Sequence, residues 1–493
     1  MSHANPPAGR DHVEALPVLE TSRDPIGEPV HGLTDADRGQ PAGRPDDHAG
    51  GRRQAPSRDQ ARDPFGHKPV EPISDHVADV SVDVLIVGAG PAGATAAAVL
   101  VRAGRRVLLA DKAAFPRDKC CGDGLTTLAL RELDALGFDP ASVPSWQTVD
   151  AAWLRSPSGR EVRLPLPSRP EGMFAATTPR RELDAALTAM AVRAGADLHE
   201  GWSVIDVTQH GDHVDTTFRV TTSDQGIGVP IVVRSRYVIA ADGMWSPTRK
   251  LLGLSEPGYL GEWHAFRQYA RQVSGPARER LYVWFEPDLL PGYMWSFPLP
   301  DGRVNIGFGI QRDGERRVQD MKGLWADLLK RPHVVEALGP DVELEDRHTA
   351  WPIPAGIDRA TLTSDRTLFV GDAARATDTM TGEGIGQALL TGRLAAEALL
   401  AAGALEPHVA RAHYEHSVRH HLLADHKMSA TLARALRSER GARGAIRLVG
   451  INDWTRRNFA RWMFEDEPRA VLFTPSRWHR RVLRNSGAFR TPT

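Results

Sequence analysis

Residues 83–93 read DVLIVGAGPAG. The first five, Asp83 to Val87, form a short apolar run suited to a buried parallel strand. Gly88, Ala89, Gly90, Pro91, Ala92 and Gly93 follow at once, and residues 94–103 are Ala-rich and helical, ending at Gly104. A second strand over residues 106–110 ends at Asp111. The three glycines do different things. Gly88 makes the turn, Gly90 lets the backbone approach a pyrophosphate, and Gly93 lets helix and strand pack closely. The helix starts at Pro91, which has no N–H to leave unpaired, and from Ala92 on its first turn offers unpaired N–H groups and partial positive charge to phosphates. Asp111 lies 23 positions beyond Gly88, where an acid accepts hydrogen bonds from ribose hydroxyls. Lys112 beside it completes the expected dinucleotide contacts.

This motif alone does not choose between nicotinamide and flavin dinucleotides. Two later segments extend it. Residues 238–246, VIAADGMWS, read as a strand ending in Asp242-Gly243, and residues 367–372, TLFVGD, as one ending in Gly371-Asp372. Acids at the C-terminal ends of strands face the ligand crevice of an open α/β sheet. Asp372 is placed to meet sugar-like hydroxyls in the middle of an extended dinucleotide. The turn at Gly382, Glu383, Gly384, Ile385 and Gly386 opens a helix whose N–H groups are placed to stabilise a polarised ring oxygen.

Composition narrows the class. The chain has 493 residues, 41% of them hydrophobic, and a formal net charge of -1, which argues against nucleic-acid binding by bulk positive charge. Its two cysteines, Cys120 and Cys121, are adjacent, which excludes a disulfide scaffold and any four-cysteine metal site. No metal is expected. No apolar run is long enough to span a membrane, and the first residues lack a signal pattern. The expectation is a cytoplasmic protein. Residues 1–75 carry 11 prolines, 13 Asp/Glu and only 9 Lys/Arg, with few apolar groups, and read as a disordered extension. Residues 411–493 hold 17 Lys/Arg against 7 Asp/Glu, with interleaved apolar residues, and read as basic amphipathic helices. Such helices are either a solvated surface or attracted to anionic lipid or a diphosphate.

The set of GAGPAG, Asp242-Gly243 and Gly371-Asp372 resembles the FAD-dependent oxidoreductases of the para-hydroxybenzoate hydroxylase type, over about residues 80–400. The resemblance implies that Gly88, Gly90, Gly93 and Asp111 bind the ADP half of FAD, that Asp372 binds the ribityl chain, and that Asp242 lies near flavin and pyridine nucleotide. Asp111 stands where a Glu is more usual. Arg180, in PRRELDAAL, matches the family's Arg-x-x-(Leu/Phe)-Asp helix start near the cofactor. Two segments are similar to the geranylgeranyl reductase family within that group. One is FPRDKCCGDGL at residues 115–125, with Arg117, Lys119, Cys121 and Gly122. The other is PGYMWSFPLPDGRVNIGFG at residues 291–309, with Tyr293, Trp295, Phe297, Pro298, Gly307 and Gly309.

The resemblance implies an FAD-dependent enzyme that saturates C=C bonds of a prenyl chain, with NADPH or another reduced carrier as electron donor. The expected fold is α/β: a Rossmann-like FAD-binding domain over residues 76–254 and 350–403, a β-rich substrate domain over 255–349 and a helical C-terminal region over 404–493. Tyr293, Trp295 and Phe297 alternate, so on a strand they share a face that can hold an isoprenoid. An aromatic core stripe is the alternative. Trp263, Trp284 and Trp351 are candidates to extend the wall. Cys121 is open between tuning the flavin, touching substrate, supplying a proton and simple burial. Arg117 and Lys119 are either cofactor contacts or surface charges. The expected partners are a prenylated small molecule or lipid, with peripheral contact at the inner face of the membrane through the C-terminal region. The rival reading is a flavin monooxygenase or halogenase on the same fold, but the halogenase Trp-x-Trp-x-Ile-Pro signature is absent. A non-catalytic flavin scaffold is the other rival.

Overall fold

A computed structural model describes residues 78–221, 228–312, 320–402, 406–466, 468–471, 474–475 and 486–490. The expected extension at residues 1–75 lies outside them.

The strand Val80–Val87 lies at the centre of a parallel sheet. Val107–Asp111 and then Asp197–Glu200 extend it on one side, and Ile231–Ala240 and then Thr367–Phe369 on the other. The central strands are apolar throughout because both faces are covered. Val84 and Ile86 point into a core with the helices Pro91–Arg102, Arg180–Ala194 and Ile385–Ala402, while Leu85 and Val87 meet Trp202, Val207, Val214 and Phe218 of an antiparallel hairpin. The helix Pro91–Arg102 is Ala-rich, so its neighbours approach closely. A Cβ placed on Gly392 of Ile385–Ala402 would lie 2.2 Å from the Ala92 carbonyl oxygen.

A second sheet has seven strands, in the order Glu343–Ile353, Trp263–Arg271, Val304–Gln311, Tyr293–Pro298, Leu281–Trp284, Ala151–Arg155 and Glu161–Pro165. All neighbours are antiparallel except Leu281–Trp284 with Ala151–Arg155. The strands at 151–165 fall within the span expected to bind FAD, so the expected boundary at residue 255 does not follow the sheets. They join this sheet because Leu281 to Trp284 would otherwise present an open edge, and Ala151–Arg155 completes its pairing. The helices Asp320–Leu328 and Pro332–Leu338 cover one face of this sheet through Trp325, Leu328, Val334 and Leu338.

The C-terminal region is helical from Pro407–Val418 to Asp453–Met463. It is fastened to the parallel sheet by Tyr414, whose hydroxyl donates to the Phe369 carbonyl at 2.6 Å.

The Gly392 contact reverses an ordinary propensity effect. Alanine is better than glycine in a helix interior by about 1 kcal/mol, but overpacking a tight contact costs about 1–3 kcal/mol. Gly392→Ala should lower the thermal midpoint. Gly444→Ala in Glu439–Val449, where a Cβ meets nothing within 4 Å, should raise it in the same scan.

Candidate active site

The glycine turn has the geometry its sequence implies. Gly88 sits at φ +103°, and a Cβ there would lie 2.3 Å from the Ala241 carbonyl oxygen. A Cβ on Gly93 would lie 1.8 Å from the Gly88 oxygen. At Gly90 only the Arg117 guanidinium, at 3.4 Å, would meet a Cβ, so the backbone there is open to a ligand. Pro91 begins the helix, no side chain caps it, and its first turn holds no acid. That is a cradle for a pyrophosphate. Asp111 ends its strand with the carboxylate turned back on the cradle. Its Oδ2 accepts from Ala89 N–H at 2.8 Å and its Oδ1 from Ala113 N–H at 2.9 Å, so it also fixes the turn. Lys112 is exposed.

The later acid-tipped strands divide into two kinds. Asp242 spends both carboxylate oxygens locally: Oδ1 accepts from the Ser246 hydroxyl at 2.6 Å and Oδ2 from Thr248 N–H at 2.9 Å. It therefore shapes the start of Pro247–Leu251, and the sequence pattern does not distinguish this from facing a ligand. Asp372 is half-buried; its Oδ1 accepts from the Thr377 hydroxyl at 3.4 Å, and its Oδ2 faces Lys119 of another segment, whose Nζ is 3.9 Å away. Gly371 takes φ +58° and its N–H donates to the Thr391 hydroxyl at 2.9 Å. Arg249, which no sequence motif marks, holds this turn by donating to the Ala373 carbonyl at 2.6 Å while stacking on Phe369. Lys119 lies 3.8 Å above the Trp351 ring. Burial pushes its ammonium down to about 8, against the pull of Asp372.

The turn at residues 382–386 differs from expectation. The N–H groups of Ile385, at 3.1 Å, and Gly386, at 2.9 Å, donate to Glu383 Oε1 instead of standing free. Burial, reinforced by the neighbouring Glu465 carboxylate, pushes Glu383 up to about 8. Gly382 adopts φ +70°, and Gly384 lies against Thr377.

The cysteine turn joins the two halves of the molecule. Both thiols are free, and Cys121 Sγ accepts from Asp123 N–H at 3.4 Å. Burial pushes the Cys121 thiol up to about 11, so it stays protonated at neutral pH. Asp123, with φ 63° and no exposure, accepts from the Tyr269 hydroxyl at 2.6 Å, Asn305 Nδ2 at 2.8 Å and Arg180 N–H at 3.2 Å. Asn305 Nδ2 also donates to the Cys121 carbonyl at 2.8 Å, and Asn305 Oδ1 accepts from Trp295 Nε1 at 3.0 Å. The Arg180 guanidinium makes a bidentate pair with Asp184 at 2.7 Å to each oxygen and also lies against the Cys121 thiol. Arg117 shares Asp184 at 3.1 Å. These arginines are thus fixed by one buried acid, which is the Asp of the same Arg-x-x-(Leu/Phe)-Asp motif.

Tyr293, Trp295 and Phe297 form a continuous aromatic face, with ring centroids 6.2 Å and 6.3 Å apart. Gly307 and Gly309 lie opposite Trp295 and Tyr293 on the next strand. A Cβ on Gly307 would lie 2.5 Å from the Trp295 ring, so this glycine seats the indole. Gly122 and Gly124 do the same for the far end, since a Cβ on Gly124 would come 3.0 Å from Phe297. Pro298 is buried, and its carbonyl accepts from Thr177 at 2.6 Å. The Tyr293 hydroxyl donates to the Thr381 carbonyl. Trp351 flanks the site through Lys119, and Trp263 donates to Thr379 at 3.3 Å. Trp284 does not extend the wall. It alternates onto the opposite face and stacks on Tyr282, 5.1 Å between centroids.

The C-terminal region is more than a charged surface. Arg469, almost fully buried, pairs with Asp378 at 3.3 Å and Glu465 at 3.4 Å, and Glu465 accepts from Thr126 at 2.9 Å. Arg461 pairs with Asp466 in the interior. Arg469 thus ties the segment after Asp453–Met463 to the turn at 378–386, while Arg461 braces that segment from within.

The site thus defines a class: a dinucleotide-type fold whose glycine turn is joined, through the cysteine turn, to an aromatic strand of a second sheet. The sequence matches the FAD binding domain family over residues 81–402. It is 34% identical over 338 residues to the menaquinone reductase of Mycolicibacterium smegmatis, covering 65% of this chain and 77% of that protein. It is 30% identical over 328 residues to digeranylgeranylglycerophospholipid reductase 2 of Methanopyrus kandleri, covering 66% and 78%. A geranylgeranyl bacteriochlorophyll reductase-like protein of Thermoplasma acidophilum shares the fold, with TM-score 0.65 and 22% identity over 81% of this chain and 100% of that one. A flavin halogenase shares it with TM-score 0.60 at 17% identity over 78% and 83%, a likeness of fold alone. The chain belongs to the geranylgeranyl reductase family of FAD-dependent oxidoreductases.

Two outcomes follow from this geometry. Gly90→Val should fill the cradle and cut the flavin bound to purified protein about tenfold, read from the visible spectrum and corresponding to roughly 1.4 kcal/mol. Asp123 should reveal itself through pH. Burial raises its carboxyl from 3.8 to about 6, with Arg267 opposing, so the folded state favours the protonated form. Its contribution to stability is complete below its unfolded value and is lost as pH rises through about 6. In urea titrations, the stability of wild type relative to Asp123→Asn should therefore fall between about pH 4 and pH 7.

Proposed function

We propose that this enzyme saturates C=C bonds in the prenyl chain of a quinone or lipid. The observation that carries the reading is the aromatic strand Tyr293–Pro298, tied through Trp295 and Asn305 to the Cys121 turn beside the cofactor cradle. The named relatives add support, since those proteins are called reductases of menaquinone and of digeranylgeranylglycerophospholipid.

FAD, once reduced, supplies hydride to carbon. The chain's residues do the rest. Gly88, Gly90, Gly93 and the uncapped helix start would hold the diphosphate of bound FAD, and Asp372 and Lys119 would serve its sugar-like middle. Tyr293, Trp295 and Phe297 bind the isoprenoid by burial and hold it flat, because an unfunctionalised alkene offers nothing to hydrogen-bond. Excluding water from this wall protects the reduced cofactor and orients the alkene. Cys121 keeps its proton on Sγ at neutral pH and is a candidate proton source. NADPH or another reduced carrier is the proposed electron donor. The helical C-terminal region is the proposed point of peripheral membrane contact.

Incubating the reduced holoenzyme with menaquinone or a geranylgeranyl lipid should give product heavier by two hydrogens for each bond reduced, read by mass spectrometry. Unchanged mass across both lipid types would refute the reading. Trp295→Ala should retain FAD but lower kcat/KM about 30-fold, since removing a buried aromatic from a binding wall costs roughly 2 kcal/mol.

A further inference from the structure

The helices Glu439–Val449 and Asp453–Met463 meet at a short turn, fixed by a reciprocal capping box between Asn452 and Thr455. Their inner sides are apolar: Ile446, Val449, Ala460 and Phe464 share a cluster with Val162 and Leu164, and Tyr293 and Phe297 pack against that cluster. The outer side is apolar too, which a helix pair facing water does not require. Leu448 is 64% exposed, Ile451 62% and Trp454 67%, three residues apart around the turn. Exposed arginines flank them. Arg443, Arg456 and Arg457 pair with Glu439, Asp453 and Glu171. Arg440 and Arg447 are exposed and make no ion pair among the described residues.

We propose that Leu448, Ile451 and Trp454, with Arg440 and Arg447 beside them, form a docking surface for an anionic lipid bilayer. The charge is of the right sign, and apolar side chains beside free arginines match the boundary between acyl chains and anionic headgroups. A Trp ring at the rim of such a patch suits that boundary. Three side chains fall far short of the roughly 20–30 residues a side that a stable protein interface uses. The patch also lies on the outer side of the helices that back onto the proposed substrate wall. The helices that present it outward press their inner faces on the cluster joined by Tyr293 and Phe297. The surface deepens the prenyl-lipid reading and rests on it for its purpose, but its binding is measurable without turnover.

The test is co-flotation of FAD-loaded protein with vesicles that contain no prenyl lipid. One set is phosphatidylcholine alone and the other includes about 30% phosphatidylglycerol, enough for a negative surface potential. Wild type should float with the anionic vesicles and be released by high salt. L448Q/I451Q/W454Q should weaken binding at least about tenfold, with flavin spectrum and thermal midpoint kept. R440Q/R447Q should weaken it about fivefold per charge on anionic vesicles only. Failure of wild type to float, or equal flotation of the triple variant, would overturn the proposal. So would a wild-type dimer that the triple variant converts to monomer, which would make the patch a self-association face. If docking behaves as proposed but no prenyl lipid is reduced, the docking surface stands and only the proposed substrate fails.

Discussion

One buried carboxylate holds the functional halves of this protein in register. Asp123 lies in the cysteine turn, receives Tyr269 and Asn305 from the seven-stranded sheet, and receives Arg180 N–H from the helix that packs on the dinucleotide fold. Burying a charge is expensive, and a hydrophobic residue of similar size would often be as stable. What a carboxylate adds is direction. Its acceptors fix where Asn305 points, Asn305 fixes the Trp295 indole, and the indole sets the plane of the aromatic wall. Loss of that direction would leave both sheets folded and the substrate face misaligned with the cradle.

The cradle and the wall solve different physical problems. A diphosphate is bound by backbone N–H groups, so that half depends on missing side chains: Gly88, Gly90 and Gly93 are there for what they lack. A prenyl chain offers no polar handle, so the other half depends on large rings, and Gly307 and Gly124 clear the space those rings occupy. The C-terminal segment closes the junction. Arg469 enters a site already crowded with Asp378, Glu383 and Glu465, and its charge opposes the repulsion among them.

Much of this is readable along the chain because its signals are local. The strand, glycine turn, helix, strand and acid sequence occupies residues 80–111, and the aromatic alternation occupies six consecutive residues. What is unreadable depends on surroundings that exist only after folding. Asp123 lies inside a motif notable for Cys121, yet its partners Tyr269 and Asn305 are 146 and 182 positions away. Asp242 and Asp372 look alike as strand-end acids, but only folding shows that Asp242 spends both oxygens on its own loop. Glu383 reads as a turn residue between glycines, and its carboxylate instead occupies the N–H groups expected to serve a ring oxygen. Trp284 shares its residue type with the wall, and strand parity turns it into the opposite core.

The sequence by itself determined the dinucleotide unit, the aromatic strand and the family, because period, glycine placement and short motifs are written in neighbouring residues. Only the tertiary structure decided which acids bond wholly within their own loop and which also face another segment. It also decided which arginines of the basic C-terminus are surface and which, like Arg461 and Arg469, are buried partners. The physical reason is the same throughout: a charged side chain's role is set by what surrounds it after folding. Those surroundings come from distant segments for Asp123 and Arg469, and from the folded path of the local loop for Asp242 and Glu383.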